Sequence, residues 1–252
     1  MKSLLAITSF LILLAASLSA AERFPKLDDT DWGWWRGPNH NGIAAASAQP
    51  PLTWDDNTNI RWQAEIPGRG HSSPTVVGDR VFLTTANEVK QTQHVLCFDR
   101  STGDVLWNKE IYQGNFDHNN NKNSFASSSV SCDGQQIYTS FFRDKKILTV
   151  ALTLKGKLVW EHVYGGFASH QGFGASPLLY KRMVILAADN KADGGGLLTA
   201  VDRQNGEILW ETPRPKCPNY VSPTIYHLNG RDELLMAGCE INTVFAGIAG
   251  SH

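Results

Sequence analysis

Short runs of β-branched and aromatic residues, bounded by turn residues, recur along this chain, and no segment beyond residue 21 shows a convincing helical period. Val-Phe-Leu-Thr-Thr at 81–85, Ile-Tyr-Thr-Ser-Phe-Phe at 137–142 and Val-Ile-Leu at 184–186 are too short for helices and have strand composition. Gly78-Asp79, Asp133-Gly134 and Asn229-Gly230 separate such runs as tight hairpin turns do. Thr102-Gly103, Lys155-Gly156 and Asn205-Gly206 mark a second set of turns. The pattern predicts four-stranded units with strands at 72–77, 80–86, 93–99 and 104–111; at 127–132, 136–142, 147–152 and 157–164; and at 174–180, 183–188, 196–202 and 207–212.

These units are copies of one another. "DRSTGDVLW" at 99–107 returns as "LTLKGKLVW" at 152–160 and "DRQNGEILW" at 202–210, which places Trp107, Trp160 and Trp210 at spacings of 53 and 50. Upstream of each phrase lies a serine-led strand, beginning at Ser73, Ser128 and Ser176, and a fourth copy begins at Ser222. Self-similarity at this period means stacked supersecondary units, and four-stranded antiparallel units of about this length are propeller blades. The second copy has Leu152 where the others have Asp, and Lys155 where the first has Thr, so its turn is expected to be less firmly pinned. The predicted fold is all-β: a β-propeller with blades at 72–111, 127–164 and 174–212 and a partial one at 221–252, an open arc of about three and a half blades. The fourth copy lacks the expected Asp, Gly turn and tryptophan strand, which suggests a truncated or split gene and a free blade edge available for association.

Residues 22–71 precede the first blade and hold five of the eight tryptophans. Ile60 to Ala64 resembles a fourth blade strand, so this segment is expected to supply an outer strand that closes the ring, with the earlier tryptophans packed beneath it. Residues 1–21 read as a signal peptide: Lys2, an apolar stretch from Leu4 to Ala16, and the small residues Ser19-Ala20-Ala21. The stretch is shorter than the ~20 residues a membrane span needs. Export to the periplasm or outside the cell follows, with no membrane span.

Charge narrows the partners. Lys plus Arg number 23 and Asp plus Glu 24, spread evenly, so nothing points to nucleic acid. The cysteines, at 97, 132, 217 and 239, allow three pairings that sequence does not choose between, and most are expected to be packed, unpaired thiols. No two stand close enough for a thiolate metal site.

The repeated Asp-x-x-x-Gly-x-x-x-Trp phrases, with "WWRGPNHNG" at 34–42 and "GHSSPTVVGDRVFLTTA" at 70–86, resemble the pyrroloquinoline-quinone-like (PQQ-like) repeat proteins over about residues 32–244. The resemblance implies an eight-bladed pattern in which Trp107, Trp160 and Trp210 pack on the next blade, beside the turn glycines Gly103, Gly156 and Gly206. It also implies that dehydrogenases of this fold hold a quinone with Ca²⁺ and a disulfide between adjacent cysteines. This chain has no adjacent cysteines, and its nearest approach to an oxygen cluster, Asp117 with Asn119, Asn120, Asn121 and Asn123, reads as a solvated loop. No PQQ, Ca²⁺ or other metal is therefore expected, and no catalytic residue is assigned. Loops that enter successive blades carry Arg69 and His71, Asn123 and Ser124, His170 and Gln171, and Asn219 and Tyr220. At equivalent positions these would line one rim of the funnel and take a small ligand or a protein partner. The expected function is an exported, non-catalytic binding or scaffold module; the alternatives are a quinone-dependent alcohol or sugar dehydrogenase, or a relative that has lost that activity, and a carbohydrate- or cell-wall-binding module.

Overall fold

The computed structural model describes residues 27–116, 120–164 and 166–238 and the backbone of 244–245. Residues 1–21, read above as a signal peptide, together with Asp117, Asn119 and Cys239, lie outside them. Every described element is a strand, and neighbours in each sheet pair antiparallel. Blade 1 holds β1 (Thr75–Val77), β2 (Arg80–Asn87), β3 (Thr92–Asp99) and β4 (Val105–Gln113). Blade 2 holds β5 (Ser131–Cys132), β6 (Gln136–Arg143), β7 (Lys146–Thr153) and β8 (Leu158–Tyr164). Blade 3 holds β9 (Leu178–Tyr180), β10 (Met183–Ala187), β11 (Gly196–Asp202) and β12 (Ile208–Arg214). Blade 4 is a three-stranded sheet of β13 (Thr224–Leu228), β14 (Arg231–Leu235) and β15 (Val244–Phe245). The four sheets make an incomplete propeller, an arc that does not close.

Burial explains the continuous apolar runs. The middle strands β2, β3, β6 and β7 are covered on both faces, because blade 2 lies between blades 1 and 3 and the free face of blade 1 is covered by Trp62, Ala64 and Ile66, whereas the outermost strands β4, β8 and β12 are largely exposed. Phe82, Val95 and Cys97 of blade 1 pack on Ile137, Phe141, Leu148 and Val150 of blade 2. Tyr138, Ala151 and Trp160 of blade 2 pack on Leu179, Val184, Leu186 and Val201 of blade 3. Blade 3 meets blade 4 through Leu178, Ile185 and Leu198 against Ile225, Leu234 and Met236.

One contact repeats where blade 1 meets blade 2 and where blade 2 meets blade 3. The indole N–H of Trp107 donates to Leu154 O at 3.0 Å, and that of Trp160 to Arg203 O at 2.9 Å, each in the turn before the outermost strand of the next blade. The rings lie flat on glycines of those turns: a Cβ built on Gly156 would stand 3.0 Å from the Trp107 ring, and one on Gly206 2.9 Å from the Trp160 ring. Both glycines have positive φ, so a side chain there is disfavoured twice over. Trp62 makes the same contact with blade 1, donating to Arg100 O at 2.9 Å and covering Gly103. Trp210 is half-buried against the core shared by blades 3 and 4.

Several expectations need correction. Residues 60–66 form no ladder with any described strand, although Trp62 docks as a fourth-strand tryptophan would. The first strands begin at 75, 131 and 178 rather than at 72, 127 and 174, and the backbone N–H groups of Ser73, Ser129 and Ser176, just before them, are bonded to the adjacent blade. In blade 2 the residue in register with Asp99 and Asp202 is Thr153, not Leu152, and the turn is one residue shorter: Gly156 N donates to Thr153 O, whereas Gly103 and Gly206 reach back four residues. Cys97 and Cys132 are free and buried, but Cys217 is disulfide-bonded, so the thiols do not all behave as packed hydrophobes.

Replacing Trp160 by Ala is expected to cost about 3–5 kcal/mol in chemical denaturation, and Gly206→Ala at least about 1–2 kcal/mol, from its left-handed backbone alone. Burial also pushes the Cys97 and Cys132 thiols from 9.0 up to about 12. The unfolded chain releases these protons first. Stability from the two thiols should thus be complete below pH 9 and fall as pH rises toward 12, and neither thiol should be alkylated in native protein at pH 8. Urea melts across this range and mass spectrometry after iodoacetamide check both.

Candidate functional site

The inner edges of the blades are bridged by the N-terminal segment. Trp32 N and O pair with Val76 O and N of β1, Cys132 N of β5 donates to Gly33 O at 2.9 Å, and the buried Trp34 indole donates to Pro177 O at 2.7 Å, just before β9. Residues 32–34 therefore cross three successive blades near the propeller axis. The tryptophans of this stretch serve different ends: Trp34 stacks on His40 in the core, Trp35 is 37% exposed, and Trp54 is exposed.

Beside this strap, four serines at equivalent positions are linked blade to blade. Ser73 N donates to Ser129 Oγ at 2.8 Å, Ser129 N to Ser176 Oγ at 3.0 Å, and Ser176 N to Ser222 Oγ at 2.8 Å. The structural register thus aligns Ser129, not Ser128, with Ser73. Thr75 and Ser131, two residues on, donate their hydroxyls to Val130 O and Pro177 O of the following blade.

These serines wall a cavity of about 470 Å³, lined by Trp35, Arg36, His71, Ser73, Ser127, Ser129, Gly174, Ser176, Tyr220, Val221, Ser222 and Thr224. Of the eight rim residues named from sequence, His71 and Tyr220 line this cavity. The other six are absent from its lining, and several of them tie the entry loops together. Arg69 donates to Asn121 O at 2.7 Å, Asn123 to Gln171 O at 2.7 Å, and Gln171 sits 3.3 Å from His170 Nδ1. Ser169 and Tyr220 share a hydroxyl contact at 3.1 Å. Sequence reading missed Trp35 and Arg36 because the strap is irregular, and it treated the serines as strand starts.

A buried ion pair steadies the last of these loops. Arg214 Nη2 meets Asp189 Oδ2 at 2.8 Å with both side chains almost wholly buried, and Asn219, one residue before Tyr220, donates to the same oxygen at 3.2 Å. The pair is bidentate, since Arg214 Nε also reaches Asp189.

A family model described as outer membrane protein assembly factor BamB matches residues 25–170 and again 91–246. The chain belongs to this family of PQQ-like repeat proteins. Polyvinylalcohol dehydrogenase from a Pseudomonas species is 27% identical over 207 residues, a match covering 75% of this chain and 30% of that enzyme. Two solved structures are similar: a europium-containing methanol dehydrogenase (17% identity, TM-score 0.49, 74% of this chain and 32% of that one), and a quinohemoprotein alcohol dehydrogenase from Comamonas testosteroni (18% identity, TM-score 0.49, 79% and 28%). This PQQ-like repeat chain spans less than a third of the length of each.

Calcium takes six to eight oxygens with carboxylates among them; no carboxylate lines the funnel cavity, whose described lining therefore does not fit a Ca²⁺ ion, and among the described residues no group of three or more His, Cys, Asp or Glu side chains is placed to share one. No described helix is long and apolar enough to cross a membrane.

Removing the guanidinium by Arg214→Ala strands a buried carboxylate. A loss of about 3–5 kcal/mol is expected, read as a lowered denaturation midpoint at neutral pH.

Proposed function

We propose that this protein is an exported, non-catalytic propeller module that binds its ligand or partner at the funnel face, in the cavity between the strap and the serine row. The observation that carries this reading is the cavity's donor set. It combines serine hydroxyls, one guanidinium, an imidazole and exposed aromatic rings, with no carboxylate to hold a metal ion or to act as a base. Such a lining can orient and desolvate a ligand. The blade-to-blade bonds along it favour a rigid receptor surface, and the family's description as an assembly factor supports a binding role. Export rests on the amino-terminal pattern of Lys2 and the apolar stretch after it.

A dehydrogenase role is the second reading, favoured by the 27% identity to polyvinylalcohol dehydrogenase. Titrating purified protein with PQQ and Ca²⁺ separates the two. The binding reading expects no stoichiometric quinone absorbance and no dye-linked oxidation of alcohols or polyvinyl alcohol; either signal at one equivalent overturns it.

A further inference from the structure

The cavity's chemistry goes further than a generic binding face. Along its wall, the backbone N–H groups of Ser73, Ser129 and Ser176 are each already bonded to the next blade's serine oxygen. An extended peptide laid against this wall would find no free main-chain donor at those three positions, so recognition by strand addition is disfavoured there. The accepting hydroxyls of Ser129, Ser176 and Ser222 still have their own protons to donate. Thr224 Oγ1, in the same lining, is buried and makes no hydrogen bond. The lining is therefore rich in hydroxyls, a chemistry suited to a ligand with several oxygen acceptors.

Opposite in character is Arg36. Its guanidinium lies over the Trp35 ring, 5.4 Å from the centroid, and pairs with no carboxylate among the described residues. The ring contact draws the guanidinium toward Trp35 without using its N–H groups, which can still meet a carboxylate in bidentate fashion. No acidic side chain lines the cavity to compete for it, and His71 stands in the same lining. Trp35 and Tyr220, 37% and 42% exposed, add flat apolar surface. The volume of about 470 Å³ falls in the range of small-molecule sites.

We propose that this cavity binds an acidic sugar: a uronic acid unit whose ring hydroxyls meet the serine row, whose carboxylate meets Arg36, and whose ring face lies on an exposed aromatic side chain. The inference rests on the funnel-face binding reading and names the ligand class for it. Hydroxyls and a single carboxylate on one compact ring match both halves of the donor set, whereas a neutral sugar would leave Arg36 unpaired.

The test is calorimetric titration of the full chain with galacturonic acid, with a galacturonate trimer, and with a neutral galactose trimer, followed in parallel by tryptophan fluorescence. Binding of either acidic probe, with the neutral trimer at least about tenfold weaker, is expected, a charge-assisted pair supplying that difference. A response to the monomer assigns a free sugar acid, and a response to the trimer alone assigns a polysaccharide. Arg36→Gln should weaken the acidic probe about tenfold or more, and Arg36→Lys should do so less, with thermal midpoints near wild type. Equal binding of acidic and neutral trimers, no binding of either acidic probe, or wild-type affinity in a folded Arg36→Gln protein overturns the proposal. Any of these leaves the non-catalytic reading standing, because the quinone titration judges that separately.

Discussion

The indole-on-glycine contact between blades is the constraint on which the rest of the structure depends. A four-stranded sheet with two apolar faces cannot stay in water alone; each face must find another. General hydrophobic burial brings blades together but does not fix their angle. The tryptophan does, because its N–H must reach one carbonyl in the neighbouring turn while its ring lies flat on a residue without a side chain. Leu154 O with Gly156, and Arg203 O with Gly206, provide that pair of partners for Trp107 and Trp160, and Arg100 O with Gly103 provides it for Trp62. Near the rim of the propeller the blades are thus locked, and near its axis their inner strands are brought within hydrogen-bonding distance of one another.

The inner contacts follow from that spacing. Ser73, Ser129, Ser176 and Ser222 can link in series only if four blades share one rotation, and the strap at 32–34 can bridge β1, β5 and the entry to β9 only if their edges are evenly presented. The cavity is the space left between these two systems. Its wall is rigid because its backbone polar groups are satisfied across blades, and its loop at Asn219 and Tyr220 is held by the buried Asp189–Arg214 pair. A buried pair of this kind adds little net stability over apolar packing, but it fixes position. The cavity thus sits on a frame whose geometry is set at the outer turns.

Much of this frame was legible in the chain. Tryptophans and turn glycines recur at a near-constant period because each blade repeats the same docking problem, and the middle strands are apolar without alternation because both faces are covered. Register was harder to read. Adjacent serines at 128 and 129 let the second copy slip by one, and the shorter Thr153–Gly156 turn moved Leu152 into the aspartate's place when residues were counted back from the glycine. The strap has no period at all: Trp35 and Arg36 enter the cavity because their neighbours pair with edges contributed by three blades, and such long-range pairing leaves no local signal. His71 and Tyr220 could be placed on the funnel side from loop position, but Arg69, Asn123, His170 and Gln171 are absent from the cavity lining, three of them bonded across to neighbouring loops and His170 lying against Gln171.

The claim that indole docking sets the blade geometry is tested most directly by hydrogen exchange of the tryptophan side-chain N–H groups, read by NMR on protein labelled with ¹⁵N at the indole. The account predicts strong protection for Trp62, Trp107 and Trp160, whose N–H groups are bonded to the neighbouring turn, and immediate exchange for Trp54, which is 68% exposed. Exchange of all three docking indoles as fast as Trp54 under native conditions would contradict it.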